Sequence, residues 1–294
     1  MRLTVLGVAI AAAVGMSSVV AAQTPPAPPP PPPEYRGYVL SGGARIAYDE
    51  CGSGTDVVLL IHDGVVHSAV FDDVWPMLCR RYHVVRFDRR GYGRSAASTT
   101  MYYEIDDVSA VLAQVHAAHA TLVASSHGGA VAIDFTLAHP ELVTRLVLVG
   151  AVVGGMPYSE HFLARGSAMS QALRAGDVAG GIKAISNDRY LIAPGNDAAR
   201  KALSALLTAS PQDVTHEDRI LQPAVALPRL HEIRIPTLLL VGDADIPDVH
   251  AQAGAIEAGV PNARRIVVPG TGHLMYLEKP DEFVRLVTSF LDVK

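Results

Sequence analysis

Residues 122–130, Leu122-Val123-Ala124-Ser125-Ser126-His127-Gly128-Gly129-Ala130, mark an abrupt change of pattern. A short apolar run ends at Ser126, and an Ala-rich helical pattern follows to residue 139. This predicts a strand, a sharp turn and a helix, with Ser126 at the tip. Such a turn strains the backbone and needs small residues two before and two after the serine, where Ala124 and Gly128 stand. Taken alone, the serine could equally be a helix N-cap, so partners elsewhere in the chain must decide.

Composition excludes some classes of function. The chain has 294 residues, is 49% hydrophobic and carries a formal net charge of −5. That length supports one sizeable core, or a core with an inserted subdomain. Because lysine and arginine are scattered and the net charge is negative, we expect no binding of nucleic acid or of an anionic membrane surface.

The N-terminus predicts export. Arg2 precedes an apolar stretch over residues 3–16, and small residues then end at Ala22. Residues 1–22 are therefore predicted to be a cleavable signal peptide, which would place the mature protein in the periplasm or outside the cell without stable membrane insertion. A retained N-terminal anchor is the alternative. Residues 23–34 are rich in proline and predict a stiff tether.

The two cysteines, Cys51 and Cys79, are expected to lie at the end of the sheet away from the strand ends that bind ligand. Export would permit a disulfide between them. We favour two independent buried thiols and keep a disulfide as the alternative.

Strand and helix patterns alternate along most of the chain. After a predicted hairpin over residues 38–48, the predicted strands span residues 57–61, 82–87, 121–124, 145–149, 237–241 and 265–268. Predicted helices lie between them, over 70–81, 105–118, 250–258 and 282–291. Such alternation indicates an α/β fold with a mostly parallel central sheet flanked by helices. Residues 35–153 and 235–294 form this predicted core.

Between residues 154 and 234 the alternation stops. Helical patterns occupy 161–174, 178–185, 198–208 and 214–221. We interpret this segment as a helical lid inserted between two strands. Its apolar contacts to the substrate are expected from Met156, Phe162, Leu163, Met169, Leu191 and Ile192.

Polar turns follow several predicted strands, where open α/β sheets bind ligands. A serine nucleophile needs an imidazole to accept its proton and an acid to hold that imidazole. His273, in a Gly-rich loop, is the candidate base. Asp245 is favoured over Asp243 as the acid, because it lies further into the loop, and Asp248 is a weaker third candidate.

A developing oxyanion also needs hydrogen-bond donors. The backbone N–H of His127 directly follows the candidate nucleophile. A second donor is expected from the turn at residues 62–65, where Gly64 is favoured and Val65 is the alternative.

Four segments in order resemble the α/β-hydrolase fold superfamily. They are the oxyanion turn at 60–64, the Asp-x-Arg-Gly-x-Gly-x-Ser loop at 88–95, the Ser126 elbow, and residues 242–245 with Gly272-His273. The resemblance spans residues 35–294 and implies a lid-bearing serine hydrolase of the esterase or lactonase type. Two residues depart from the family pattern. Asp63 replaces a glycine, and His127 stands where many relatives have Met, Leu or Gln; each is either neutral variation or a group that polarises a substrate oxygen or tunes the pocket.

The predicted reaction is hydrolysis of a small or medium carboxylic ester by Ser126, His273 and Asp245, with Gly64 and His127 as the oxyanion hole. It requires no cofactor and no metal, and the expected partner is a small acyl substrate. Oligomeric state is left open. Three alternatives remain: lactone or amide hydrolysis by the same triad, a cofactor-free oxygenase of this fold, and a non-catalytic ligand-binding protein.

Overall fold

The central feature is one eight-stranded sheet. The computed structural model describes residues 34–54 and 56–293. The strands lie in the order β1-β2-β4-β3-β5-β6-β7-β8. Their bounds are β1 Glu34–Ser41, β2 Ala44–Cys51, β3 Val57–Ile61, β4 His83–Phe87, β5 Ala120–Ser125, β6 Val143–Val149, β7 Thr237–Gly242 and β8 Ala263–Val268.

The sheet is parallel except at one edge. The predicted hairpin is confirmed, since β1 and β2 pair antiparallel, and β2 also pairs antiparallel with β4. All pairs from β4 through β3 to β8 are parallel. The carboxyl ends of these six strands therefore meet at one edge, where ligands bind in such sheets.

Helices cover both faces of the sheet. Their bounds are α1 Trp75–Cys79, α2 Glu104–Gln114, α3 His127–Ala138, α4 Glu160–Arg165, α5 Ser167–Arg174, α6 Val178–Ser186, α7 Asp197–Ala209, α8 Gln212–Thr215, α9 Pro247–Gly259, α10 Met275–Glu278 and α11 Pro280–Leu291. In β3, Val58 and Leu60 join one apolar cluster while Leu59 and Ile61 join the other. Because side chains alternate along a strand, a continuous apolar run is what a sheet covered on both faces requires.

Helices α4 to α8 lie between β6 and β7 in the chain. We call residues 154–234, which contain these helices and the loops around them, the inserted segment. The pattern over residues 161–174 predicted one helix, but it is divided at Gly166 into α4 and α5. The predicted helix over 214–221 is wrong, because α8 ends at Thr215. Beyond it, Ile220 bridges Tyr102, and the Leu221 N–H donates to the Tyr102 carbonyl at 2.7 Å. These tertiary hydrogen bonds replace the ones that a helix would make.

The predicted signal peptide and nearly all of the predicted tether lie outside the described residues. Glu34, placed at the end of the tether by the sequence, is instead the first residue of β1. Within the described residues, no helix is both long enough and apolar enough to cross a bilayer.

The structure contradicts the favoured interpretation of the cysteines. Cys51 and Cys79 form a disulfide, with their Cα atoms 5.5 Å apart. Because β2 runs antiparallel to β4, Cys51 lies opposite Val84 near the start of β4, and α1 ends beside it at Cys79. As expected, the bridge lies at the edge away from the strand carboxyl ends.

Candidate active site

Ser126 occupies a strained turn between β5 and α3. Its φ is +53° and its ψ is −117°, a conformation that costs about 1–3 kcal/mol for a residue with a side chain. Backbone hydrogen bonds hold it there: the Ser126 N–H donates to the Val149 carbonyl at 2.9 Å, and the Val152 N–H donates to the Ser126 carbonyl at 3.2 Å. The strain is therefore fixed by β6 and the residues after it.

The small residues after the serine are required by close packing. A Cβ at position 128 would collide with the carbonyl oxygens of Ile61 and His62 at the end of β3. A Cβ at position 129 would collide with Ala151. The two glycines thus allow α3 to begin directly against two strands.

His273 and Asp245 meet at the carboxyl edge of the sheet. The His273 Nδ1–H donates to Asp245 Oδ2 at 2.7 Å, and Asp245 Oδ1 accepts the Ile246 N–H at 2.7 Å. The inserted segment fixes the histidine as well, since the His273 N–H donates to the Tyr190 carbonyl at 2.8 Å. Both Asp245 oxygens are therefore engaged, and the imidazole has a defined tautomer with Nε2 free to accept a proton.

The other two candidate acids have different contacts. Asp243 Oδ1 accepts the N–H groups of Gly270 and Thr271 at 2.7 and 3.3 Å, so it shapes the loop that carries His273. Asp248 accepts hydrogen bonds from the backbone and hydroxyl of Ser159. The structure thus brings together His273 and Asp245, the favoured pair.

Opposing effects set the basicity of His273. Burial lowers its pKa, but the charge and hydrogen bond of Asp245, together with the charge of Asp63, outweigh burial, so the net pKa lies above the ordinary 6.5. Asp63 adds to the rise and Arg165 opposes it. The arrangement stabilises an imidazolium formed during proton transfer.

Gly150, the first residue after β6, lies against this pair. Its φ is +52°, and a Cβ there would be 2.9 Å from both Nδ1 and Cε1 of His273 and 3.2 Å from Asp245 Oδ2. The absence of a side chain at this position leaves room for the imidazole and for an acid supplied by the loop after β7.

The two residues that carry the candidate oxyanion donors lie next to each other. A Cβ built on Gly64 would lie 3.5 Å from His127 Cβ, so the turn after β3 and the start of α3 are in contact. Within residues 34–54 and 56–293, neither the Gly64 N–H nor the His127 N–H has a hydrogen-bond partner. The alternative, Val65, donates its N–H to Asp63 Oδ1. The structure therefore favours Gly64 over Val65.

Asp63 does not line the cavity that contains Ser126 and His273. Its side chain is buried, Oδ1 also accepts the Val66 N–H at 3.1 Å, and Oδ2 accepts the Tyr276 hydroxyl at 2.8 Å. Burial raises the pKa of Asp63, and these hydrogen bonds partly offset the rise. Asp63 therefore shapes the turn from behind, and the alternative that it polarises a substrate oxygen is wrong. His62 is also structural: burial and the charge of Arg89 lower its pKa to about 3 and keep the ring neutral.

Ser126 and His273 line one cavity of about 220 Å³ together with Gly64 and His127. The remaining lining residues are Val65, Val152, Tyr158, Phe162, Arg165, Leu191 and Val249. A cavity of about 270 Å³ shares His127, Val152 and Tyr158 with it, and one of about 280 Å³ shares Gly64, Val65, Arg165 and Leu191. The central cavity thus adjoins a space on either side.

The inserted segment supplies much of this lining. Of its predicted apolar contacts, Phe162 and Leu191 line the central cavity, while Met156 and Met169 line the adjoining ones. Leu163 is instead exposed, and Ile192 is buried in the core. Sequence reasoning missed Tyr158 and Arg165, because no motif marks residues that reach the site through a non-repetitive insertion.

This geometry fits a hydrolytic site: a strained serine, a histidine held by an aspartate, and the backbone N–H groups of Gly64 and His127 around one cavity. Comparison with known proteins agrees. Residues 58–286 match the alpha/beta hydrolase family, and the chain belongs to it.

Similar proteins have varied activities. The chain is 30% identical to the polyketide synthase ThaQ of Burkholderia thailandensis over 86% of its own length, but it spans only 12% of that synthase. It is 27% identical to a 2-hydroxy-6-oxononadienedioate/2-hydroxy-6-oxononatrienedioate hydrolase of Klebsiella pneumoniae, covering 84% of this chain and 91% of that one. Among solved structures, the esterase RhEst1 from Rhodococcus sp. is 28% identical with a TM-score of 0.73, covering 88% of this chain and 98% of the other. These hydrolase relatives support a hydrolytic enzyme.

Proposed function

We propose that this protein is a serine hydrolase that cleaves a small or medium carboxylic ester through a covalent acyl-enzyme. The observation that carries the proposal is the convergence of Ser126, the His273–Asp245 pair and the backbone N–H groups of Gly64 and His127 on one cavity. An activated nucleophile and a preformed oxyanion site are what acyl transfer requires.

The proposed acylation step uses each of these groups in turn. Ser126 Oγ attacks the carbonyl carbon while its proton passes to His273 Nε2. The carbonyl oxygen becomes an oxyanion that accepts hydrogen bonds from Gly64 and His127. The bond to the leaving alcohol then breaks, and His273 returns the proton to the alcohol oxygen.

Deacylation repeats the sequence with water. His273 accepts a proton from the water, whose oxygen attacks the acyl carbon of the Ser126 ester. Collapse of the second tetrahedral intermediate releases the carboxylic acid, and the proton returns to Ser126 Oγ. Throughout, Asp245 orients the imidazole and stabilises its cationic form.

Cavity size supports a small or medium substrate. The central space of about 220 Å³ holds an ester and a few carbons, and the two adjoining spaces can take its acyl and alcohol parts. Ligand cavities for drug-sized molecules are roughly 300–1,000 Å³, so a polymer would not fit inside this site.

The test is covalent labelling with a fluorophosphonate, followed by intact mass and peptide mapping, beside hydrolysis of p-nitrophenyl esters of increasing chain length. We expect one adduct on Ser126 and measurable turnover. Ser126→Ala should lose the adduct and lower kcat at least about 10³-fold, with the melting temperature changed by only a few degrees. Ser125→Ala, at the neighbouring buried serine, is the matched control and should retain the adduct. Activity that survives Ser126→Ala would refute the mechanism.

Lactones and amides use the same groups, so a parallel substrate panel decides between them and esters. The cofactor-free oxygenases that this chain resembles take their acid from the residues after the strand equivalent to β6. Gly150 follows β6 here and offers no carboxylate, which disfavours the oxygenase alternative. A purely binding role would be supported by folded protein that the fluorophosphonate does not label.

We also propose that the protein is exported, with residues 1–22 removed. The Cys51–Cys79 disulfide supports this, because such bridges persist in oxidising compartments. N-terminal sequencing of protein recovered from the periplasm or the medium should begin at Gln23. Recovery from the cytoplasm with residues 1–22 intact would contradict export.

A further inference from the structure

Arg89, in the loop after β4, connects the two segments that carry the proposed oxyanion donors. Its side chain is buried, and it stands at the first variable position of the Asp-x-Arg-Gly-x-Gly-x-Ser loop. Its guanidinium group donates hydrogen bonds in two directions, one towards the turn after β3 and one towards the start of α3.

The first direction reaches the peptide that carries one donor. Arg89 Nη1 donates to the Asp63 carbonyl at 2.9 Å, and His62 Nδ1 donates to the same oxygen at 2.8 Å. The Asp63 carbonyl and the Gly64 N–H belong to one planar peptide unit. Holding the carbonyl end therefore fixes the direction of the N–H, and polarising that carbonyl strengthens the N–H as a donor.

Arg89 also orients the histidine that shares this task. The Arg89 backbone N–H donates to His62 Nε2 at 2.9 Å. This bond leaves the proton of the neutral ring on Nδ1, where it faces the Asp63 carbonyl. Main chain and side chain of one residue thus hold the same peptide.

The second direction reaches the other donor through Glu104. Arg89 Nε and Nη2 donate to Glu104 Oε1 at 2.9 and 2.6 Å, and His127 Nε2 donates to Glu104 Oε2 at 2.6 Å. Burial would raise the pKa of Glu104, but the charges of Arg89 and His127 lower it to about 2, so the carboxylate stays ionised at neutral pH. Glu104 therefore anchors the side chain of His127, the residue whose backbone N–H is the second proposed donor.

We propose that Arg89 is a positioning residue for the oxyanion site, holding the Asp63–Gly64 peptide directly and His127 through Glu104. This inference rests on the proposed function, since it requires an oxyanion to form on the substrate. His127, one of the two departures from the family pattern, joins the network of this arginine through its side chain, whereas Asp63 joins it through its backbone carbonyl.

The experiment separates positioning from folding. Arg89→Gln and Arg89→Lys are assayed with a p-nitrophenyl ester, and their inhibition constants are measured for a trifluoromethyl ketone of similar shape. Addition of Ser126 Oγ to that ketone, with transfer of its proton to His273, gives a tetrahedral oxyanion at the position formed in catalysis. The ester KM at slow turnover reports contacts that form before the oxyanion does.

Removing a whole oxyanion donor costs about 10²–10³ in kcat, so misaligning two donors in Arg89→Gln should lower kcat about 10–100-fold. We expect the ketone inhibition constant to rise by the same factor while KM stays within about twofold. Arg89→Lys should fall between Arg89→Gln and the wild type, because it keeps the charge but not the fork of donors.

Arg90→Lys is the matched control. Arg90 is also buried and forks onto a carboxylate, Asp107, but it contacts neither the Asp63–Gly64 peptide nor Glu104. We expect it to lower the melting temperature and leave the ketone inhibition constant within about twofold.

Folded Arg89→Gln with unchanged kcat and ketone affinity would overturn the inference, as would an equal loss of ketone affinity in Arg90→Lys. If Arg89→Gln does not fold, Arg89→Lys decides alone, and ketone affinity equal to the wild type overturns the proposal. A wild-type protein that neither hydrolyses esters nor binds the ketone overturns the proposed function and this inference with it. Active wild type with unaffected Arg89 variants overturns the inference only.

Discussion

Replacing Asp245 with asparagine should reverse the tautomer of His273. Asp245 Oδ1 accepts the Ile246 N–H, and Oδ2 accepts the imidazole Nδ1–H. In Asp245→Asn the amide oxygen would keep the bond to Ile246, which turns the amide NH₂ towards His273. That group can only donate, so Nδ1 must become an acceptor and the proton moves to Nε2. The histidine would then present a proton to Ser126 where it must accept one.

The expected loss is large. The equivalent change in a serine protease lowers kcat about 10⁴-fold, which corresponds to about 5 kcal/mol of transition-state stabilisation. The pH profile should change as well. In the wild type, kcat/KM should fall as the pH drops through a His273 pKa above 6.5, because the base must be neutral. Without the Asp245 charge, burial lowers the His273 pKa with less opposition. The acidic limb of the profile should therefore move to lower pH.

The assay is kcat/KM for an ester from pH 5 to 9, measured for the wild type and Asp245→Asn. Asp243→Asn and Asp248→Asn are the controls, because both carboxylates belong to the same region and neither contacts His273. Each control should keep activity within about tenfold of the wild type. A loss in Asp243→Asn as large as that in Asp245→Asn, or an unmoved acidic limb in Asp245→Asn, would refute the assignment.

Two further predictions concern Gly150 and the disulfide. Gly150→Ala should lower kcat at least about tenfold, because its Cβ would press against His273 and its φ of +52° disfavours a side chain; activity equal to the wild type would contradict this. Replacing Cys51 and Cys79 together with serine should cost about 3–4 kcal/mol for a loop of 28 residues and lower the melting temperature by roughly 10 °C. Ester turnover of the folded variant should not change, and a thermal melt beside the kinetic assay checks both expectations.

Local sequence patterns predicted much of the fold and part of the candidate site. Continuous apolar runs of strand length predicted the sheet, because a strand covered on both faces buries successive side chains. The elbow at Ser126 was recognisable because its strain and close packing demand small neighbours at fixed spacing. Strand carboxyl ends share one edge, so Asp245 and His273 could be expected to meet there before any coordinates were known.

Sequence patterns beyond the strands were less informative. Residues 214–221 have a helical pattern, but hydrogen bonds to Tyr102 hold their second half extended. Such a bond joins residues more than 100 positions apart, and periodicity within a window cannot detect it.

Tertiary structure alone decided the remaining features. The antiparallel pairing of β2 with β4 brings Cys51 close to Cys79. Burial of the Asp63 side chain against Tyr276, behind the turn after β3, gives Asp63 a structural role. The link from Arg89 to both oxyanion segments likewise depends on three loops meeting at one sheet edge. Local order follows from spacing along the chain, whereas a buried charge acquires its role from partners that only the folded chain brings within hydrogen-bonding distance.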